Sequence, residues 1–100
     1  MINNLIDSVD YQKDTIVSKS LLKSGGGNVT LFAFSKGQEL SEHSTPHTAM
    51  VQCLEGELEI TLNRDSTVLK RGDFIKMEPG APHAVKAISD FKMLLTLIKN

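Results

Sequence analysis

The sequence predicts an all-β domain, a sandwich or barrel of about nine short strands. Apolar and polar residues alternate along much of the chain, which is the pattern of strands with one buried face. Turn residues separate these stretches at close spacing, and no segment shows the periodicity of an amphipathic helix. A chain of 100 residues has room for one hydrophobic core, so we expect a single domain over residues 1–100.

The strands follow a polar N-terminal arm, residues 1–13, and occupy the chain from about residue 14 to residue 99. The clearest alternation lies at residues 57–62, where every second residue is leucine or isoleucine. Residues 47–54 are apolar on both faces, which predicts a central strand. The predicted strands are residues 15–22, 29–34, 38–43, 47–54, 57–62, 67–70, 74–77, 83–87 and 91–98.

Glycine, proline and polar residues mark the boundaries between these strands. Glycine adopts positive φ without steric cost, so the run at residues 25–28 (GGGN) predicts a flexible turn. Pro46 lacks an N–H and interrupts the chain before the fourth strand. A hairpin turn is predicted at residues 63–66, and a rigid loop at residues 79–82 (PGAP).

Two of the predicted strands, residues 29–34 and 91–98, are apolar on both faces. A lone sandwich of this size has one interior, so a second apolar face needs another cover. We therefore expect a homodimer in which the outer face of one sheet packs against its copy. The alternative is that these residues remain exposed, as many apolar residues of soluble proteins do.

The composition restricts the classes of function. Lys and Arg total 11 against 12 Asp and Glu, which gives a net charge of −1 and a pI near 6.3. This balance argues against nucleic acid or an anionic membrane as a partner. A single cysteine excludes an internal disulfide framework. No apolar run approaches the length of a membrane span, and the first residues lack a signal-peptide pattern, so we expect a soluble, cytoplasmic protein.

All three histidines, His43, His47 and His83, lie in or beside loops. Alternate residues of an extended chain point to the same side, so His43 and His47 would both face the interior, with His83 arriving from another strand. Neutral imidazoles are standard ligands of divalent transition metals, and three of them can occupy one face of a coordination sphere. The alternative is three ordinary loop or core histidines, with Pro46 breaking the alternation and turning His47 outward.

The first histidine lies in a stretch with regular spacing. Gly37 is followed by five residues, His43, one residue, Thr45, three residues, Ala49, six residues and Gly56. This frame resembles the first motif of the cupin superfamily, which is a glycine, five residues, a histidine, one residue, a histidine, three or four residues, a glutamate, six residues and a glycine.

A later stretch resembles the second cupin motif, which is a glycine, five residues, a proline, one residue, a glycine, two residues, a histidine, three residues and an asparagine. In this sequence Gly72 is followed by five residues, Glu78, one residue, Gly80, two residues, His83, three residues and Ala87. Two motifs in frame are a specific signal.

The resemblance covers roughly residues 14–99 and is to the small single-domain bacterial cupins. It implies a jelly-roll β-barrel with a metal site inside. Of the four metal ligands of the family, this sequence keeps His43 and His83. The other two positions hold Thr45, a poor ligand, and Ala49, which has no ligating atom.

His47 is a candidate for the third nitrogen, so the predicted metal site is His43, His47 and His83. Gln52 is a candidate for a fourth contact through its amide oxygen, although alternation points it to the opposite face. Water or substrate would take the remaining positions. The implied metal is iron, manganese, nickel, copper or zinc. The predicted lining of the ligand pocket is Thr45, Ala49, Phe32, Phe34, Met77 and Met93.

Two functions are consistent with this predicted site. One is a metal-dependent protein acting on a small molecule, with the oxygenase or isomerase chemistry that occurs in the superfamily. The other is a non-enzymatic cupin that binds or senses a small ligand without metal, which is favoured by the lack of a carboxylate at position 49, because no general base is evident. The sequence favours metal binding and leaves catalysis open.

Overall fold

A computed structural model describes residues 2–99, and Met1 and Asn100 of the predicted domain lie outside the described residues. The N-terminal arm contains one 3₁₀ turn, Ile6–Ser8. Nine strands follow in the described chain, as predicted. They are β1 Ile16–Ser24, β2 Gly27–Phe34, β3 Glu39–His43, β4 Thr48–Glu55, β5 Glu57–Leu62, β6 Asp65–Lys70, β7 Phe74–Met77, β8 His83–Ala87 and β9 Phe91–Ile98.

The strands form two antiparallel sheets that pack face to face. The larger sheet has the order β1-β2-β9-β4-β7, and the smaller has the order β3-β8-β5-β6. This arrangement confirms the predicted jelly-roll sandwich. In residues 2–99 there is no helix long and apolar enough to cross a membrane.

Two hairpin turns are tighter than the sequence predicts. Gly27 belongs to β2, where it approaches β9 so closely that a Cβ would lie 2.1 Å from the carbonyl oxygen of Leu97. Asn63 and Arg64 form the β5–β6 turn with φ values of 50° and 73°. Positive φ at both central residues is the geometry of a two-residue type I′ turn, so Asp65 already belongs to β6.

The main core lies between the sheets and is built from alternate residues of the strands. Phe34 and Phe91 stack at its centre, with ring centroids 4.4 Å apart. In β8 the buried residues are His83, Val85 and Ala87, so the inner face of the smaller sheet carries the second motif's histidine. The buried members of this core are Phe34, Ala49, Val51, Cys53, Leu58, Ile60, Leu69, Met77, Val85, Ala87, Phe91 and Met93.

A second apolar cluster covers part of the outer face of the larger sheet. Val9 of the N-terminal arm packs on Leu31 and Ala33 of β2, and all three side chains are buried. The arm therefore covers part of the outer apolar face, which the sequence analysis expects a second copy of the chain to cover. The rest of this face stays open.

Candidate functional site

The candidate site lies at one end of the barrel, where β3 ends and β8 begins. His43 is the last residue of β3, His83 is the first residue of β8, and the two are directly opposite in the strand register. Residues directly opposite on antiparallel strands point to the same face, so both rings are on the inner face. Their ring centroids are 4.2 Å apart, with an angle of 64° between the planes.

A β-bulge brings His43 to this face. Leu40 pairs with Val85 and His43 pairs with His83, so three steps along β3 correspond to two steps along β8. The extra residue in β3 allows Leu40 and His43 to share a face although their spacing is odd. Without the bulge, strict alternation from Leu40 would turn His43 outward.

The pair extends from the interior to the solvent. The side chain of His83 is buried beside Leu62, its partner in the β5–β8 register. His43 is exposed. A molecule arriving from solvent therefore meets His43 first, and His83 provides a nitrogen donor on the protein side.

Each ring is oriented by the same kind of local hydrogen bond. Nδ1 of His43 donates to the carbonyl oxygen of Ser41 (2.7 Å), and Nδ1 of His83 donates to that of Ala81 (3.1 Å). A carbonyl oxygen only accepts, so Nδ1 carries the proton in each neutral ring. The lone pair of each ring is therefore on Nε2, the nitrogen that a metal or a ligand proton would meet.

Burial keeps His83 neutral. The loss of solvent around the ring lowers the pKa of His83 below its ordinary value, and the nearby His43 lowers it further. The hydrogen bond to Ala81 opposes this shift. A neutral imidazole is the form that binds a metal ion.

His47 is separate from the pair. It lies in a bend after Pro46, outside β4, which begins at Thr48. Its Nδ1 is buried and has no hydrogen-bond partner among the described residues. Over residues 2–99 no group of three or more His, Cys, Asp or Glu side chains is placed to hold a metal, so the predicted convergence of His43, His47 and His83 is not present in this conformation.

The structure also shows the surroundings of Ala49 and Thr45, the two metal-ligand positions at which this sequence departs from the family. Ala49 is buried on the inner face between Met77 and Leu97, its neighbours in the register. Thr45 connects two loops, because its carbonyl oxygen accepts from the backbone N–H of Gly80 (2.8 Å). Neither residue brings a ligating nitrogen or carboxylate to the pair.

The predicted pocket residues lie mostly in the core. Phe34, Met77 and Met93 are members of the buried cluster, and Phe32 packs against it. Gln52 pairs with Leu94 and Phe74 on the outer face of the larger sheet, which places it on the side opposite to the histidine pair. The structure thus assigns most of these side chains to packing.

Cys53 is also a packing residue. Burial raises the pKa of its thiol to about 11, and the charge of Asp73 adds to the shift. Its Sγ donates to the carbonyl oxygen of Gly56 at 3.4 Å. The thiol is protonated at neutral pH, so it is a poor nucleophile.

Sequence reasoning missed the groups that orient the two rings. These are the carbonyl oxygens of Ser41 and Ala81, each two residues before the histidine that it holds. Every residue has a carbonyl, so no residue type marks this role. The only signal in the sequence was that each histidine lies at a boundary between a predicted strand and a loop.

The sequence profile of the cupin domain matches residues 30–99. This chain therefore belongs to the cupin family. The comparison with curated proteins found no match.

Solved structures agree with this assignment. A conserved protein of unknown function from Streptococcus pyogenes is 35% identical, with a TM-score of 0.94 over 100% of this chain and 88% of that one. A cupin 2 conserved barrel domain protein from Leptotrichia buccalis is 36% identical, with a TM-score of 0.93, over 97% of this chain and 47% of the other. A salicylate 1,2-dioxygenase from Pseudoaminobacter salicylatoxidans shares the fold, with a TM-score of 0.78 at 14% identity, over 83% of this chain and 26% of the other.

Proposed function

We propose that this cupin binds a divalent transition metal through His43 and His83 and presents it to a small anionic molecule. The proposal is carried by one observation, which is that the two adjacent rings make the same kind of hydrogen bond through Nδ1. Each donates its Nδ1–H to a backbone carbonyl, which leaves the Nε2 lone pair for a metal. Metal-binding histidines commonly have such a partner, because it fixes the tautomer and the ring orientation.

The donors present select among the metals. Imidazole suits zinc, copper, nickel and iron, whereas manganese prefers carboxylate and water oxygens. The glutamate of the family motif is replaced by Ala49, and the second histidine by Thr45. We therefore expect this site to take one of the first four metals in preference to manganese, with several coordination positions open to water or a ligand.

The charge of the donors indicates the class of ligand. Two neutral imidazoles leave the charge of a divalent cation uncompensated, and Ala49 supplies no carboxylate. A bound cation would then be the largest local charge, which favours a small molecule with a carboxylate or another oxyanion. When bound, the metal would supply Lewis-acid or oxygen-activating chemistry. The protein contributes the buried, neutral ring of His83 and an accessible ring at His43.

Calorimetric titration of chelator-treated protein with Zn²⁺ and Ni²⁺ tests the proposal. We expect His43→Ala to weaken binding by about tenfold or more, because it removes one of two nitrogen donors from an exposed position. Gln52→Ala is the matched control, because its side chain is on the outer face, and it should bind as the unaltered protein does. Failure of the unaltered protein to bind either ion would overturn the proposal.

A metal-free ligand-binding cupin is the second candidate. The buried Ala49 favours this candidate, because it puts a methyl group where the family has a metal-binding glutamate. The two Nε2 atoms would then accept hydrogen bonds from a ligand. A thermal-shift screen of small carboxylates and other metabolites with chelator present separates the candidates, because stabilisation without metal supports only the second.

A further inference from the structure

Arg64 has a backbone conformation that glycine adopts more easily. It is the second central residue of the β5–β6 turn, where its φ is 73°. A two-residue type I′ turn strongly prefers glycine at this position, because a side chain is strained at positive φ. Strained residues of this kind cluster at functional sites, where the surrounding structure holds them in place. The turn by itself gives no reason for an arginine here.

The turn lies at the end of the barrel that carries the histidine pair. Leu62, the residue before the turn, is directly opposite His83 in the β5–β8 register. The N–H of Asn63 donates to the carbonyl oxygen of Pro82 at 3.0 Å. This hydrogen bond joins the turn to the residue that precedes His83. The backbone of Arg64, the next residue, is therefore held at the same end of the barrel as the pair.

The charge of Arg64 is not compensated by an ion pair. The three ion pairs within residues 2–99 are all formed by lysines. Arg64 is exposed. Neither Asp65, which follows it in the chain, nor Glu42, which precedes His43, is paired with it. Its guanidinium is thus available to a molecule in solution.

Arg64 is also the only arginine or lysine in the loops next to the histidine pair. These loops are residues 44–47, which follow His43, residues 78–82, which precede His83, and the turn at residues 63–64. The other charged residue in them is Glu78, whose carboxylate lies 3.3 Å from Nζ of Lys76. Arg64 therefore supplies the one uncompensated positive charge of these loops.

We propose that Arg64 binds the oxyanion of the small molecule that a metal at His43 and His83 receives, and so selects anionic ligands over neutral ones. This inference rests on the proposed function and adds to it a residue that recognises the ligand. A guanidinium is planar and presents two parallel N–H groups, which match the two oxygens of a carboxylate. A metal accepts neutral and charged oxygen donors, whereas this paired hydrogen bond requires an oxyanion.

Titration of the Zn²⁺-loaded protein with benzoate and with benzamide tests this inference, with binding followed by NMR of the backbone amides. Benzamide has the shape of benzoate without its charge. Arg64→Gln should weaken benzoate binding by about tenfold or more, as expected for the loss of a charge-assisted contact, and should change benzamide binding little. The Zn²⁺ affinity of this variant should equal that of the unaltered protein.

Arg71→Gln is the matched control, because Arg64 and Arg71 are the only arginines of the chain. Arg71 is also exposed and in a turn, but it follows the opposite end of β6. Both variants lower the net charge by one, so a general electrostatic effect would be equal in the two. Arg71→Gln should bind benzoate as the unaltered protein does.

Arg64→Gly separates a role in binding from a role in the turn. Glycine adopts positive φ without strain, so this variant should be at least as stable as the unaltered protein in urea denaturation. It should nevertheless lose benzoate affinity by about tenfold or more, as Arg64→Gln does. An arginine that served only the turn would leave benzoate binding unchanged in Arg64→Gly.

The results that would contradict this inference differ from those that would contradict the proposed function. Equal benzoate affinity in the unaltered protein and Arg64→Gln, or an equal loss in Arg64→Gln and Arg71→Gln, would remove the role of Arg64 and leave the metal site. Failure of the Zn²⁺-loaded unaltered protein to bind benzoate would do the same. Failure of the unaltered protein to bind Zn²⁺ would remove both proposals.

Discussion

At the scale of single residues, Gly56 and Gly72 share a backbone conformation but differ in their surroundings. Their φ values are 74° and 90°, which favour glycine. A Cβ at Gly56 would lie 2.0 Å from the carbonyl oxygen of Asp90 and 2.8 Å from the Cα of Phe91. A Cβ at Gly72 would meet nothing within 4 Å.

We expect Gly56→Ala to destabilise the protein far more than Gly72→Ala. The change at Gly72 adds only the strain of positive φ, about 1–2 kcal/mol. The change at Gly56 adds the same strain together with a clash against backbone atoms, so its total should exceed about 4 kcal/mol. Urea denaturation of both variants checks this, and equal losses would show that the β9 backbone shifts away at little cost.

Residue-level reasoning located the candidate site only in part. The motif spacing identified His43 and His83, which the structure brings together. It also placed His47 beside them by assuming an unbroken alternation, and the bend at Pro46 interrupts that alternation. The bulge in β3 could not be anticipated, because it depends on pairing with β8, a strand that lies about forty residues further along the chain.

At the scale of elements, the N-terminal arm is held to the outer face of the larger sheet by one buried lysine. Nζ of Lys92 donates to the carbonyl oxygen of Ile6 at 2.5 Å and lies 3.8 Å from Oε2 of Glu55. It also lies 5.0 Å from the ring centroid of Tyr11, whose hydroxyl donates to Glu55 at 2.5 Å. Burial and this acceptor both raise the pKa of Tyr11, so the hydroxyl stays protonated.

We expect Lys92→Met to release the arm. The substitution keeps an unbranched chain but removes the ammonium, which leaves the carbonyl oxygen of Ile6 without its donor and Glu55 without its cationic partner. The loss in unfolding free energy should be about 1.5–3 kcal/mol, as for a hydrogen bond to a charged group. Amide exchange in residues 5–12 should rise at the same time.

Lys86→Met is the matched control for this change. Its side chain is 56% exposed and its Nζ lies 4.0 Å from Glu39, so the loss should be within about 1 kcal/mol. Equal effects of the two substitutions would show that burial of Lys92 does not hold the arm.

The strands could be predicted because alternation is a local property of the sequence. The packing of the arm could not be predicted in this way. All nine strands lie within a few residues of their predicted positions. The sequence predicts a polar arm over residues 1–13, yet Val9 is buried, and the carbonyl oxygens of Ile6 and Gln12 accept hydrogen bonds from the side chains of Lys92 and Ser35. The arm also contains Ile2, Leu5 and Ile6, and the sequence does not show which of its apolar residues is buried. Only the packed structure shows that Val9 is the buried one and which surface it covers.

At the scale of the whole molecule, the arm leaves part of the apolar outer face open. Leu22, Phe74 and Ile98 are 67%, 64% and 56% exposed, and each belongs to the larger sheet. A cleft of about 420 Å³ lies beside Leu22, and another of about 190 Å³ beside Ile98. A surface with both protruding side chains and clefts is suited to pack against its own copy about a twofold axis.

The homodimer predicted from the sequence remains a prediction, and this face is where we expect it to form. Light scattering coupled to gel filtration should give twice the 11.0 kDa mass of the chain. Ile98→Lys should shift the protein towards monomer, because a charge placed within an apolar interface loses its hydration without gaining a partner. Val68→Lys is the control: Val68 is 42% exposed but belongs to the smaller sheet, so this variant should remain a dimer. A monomeric unaltered protein would mean that the arm alone covers as much of this face as the fold requires, whereas a dimer that persists in Ile98→Lys and dissociates in Val68→Lys would place the interface on the opposite sheet.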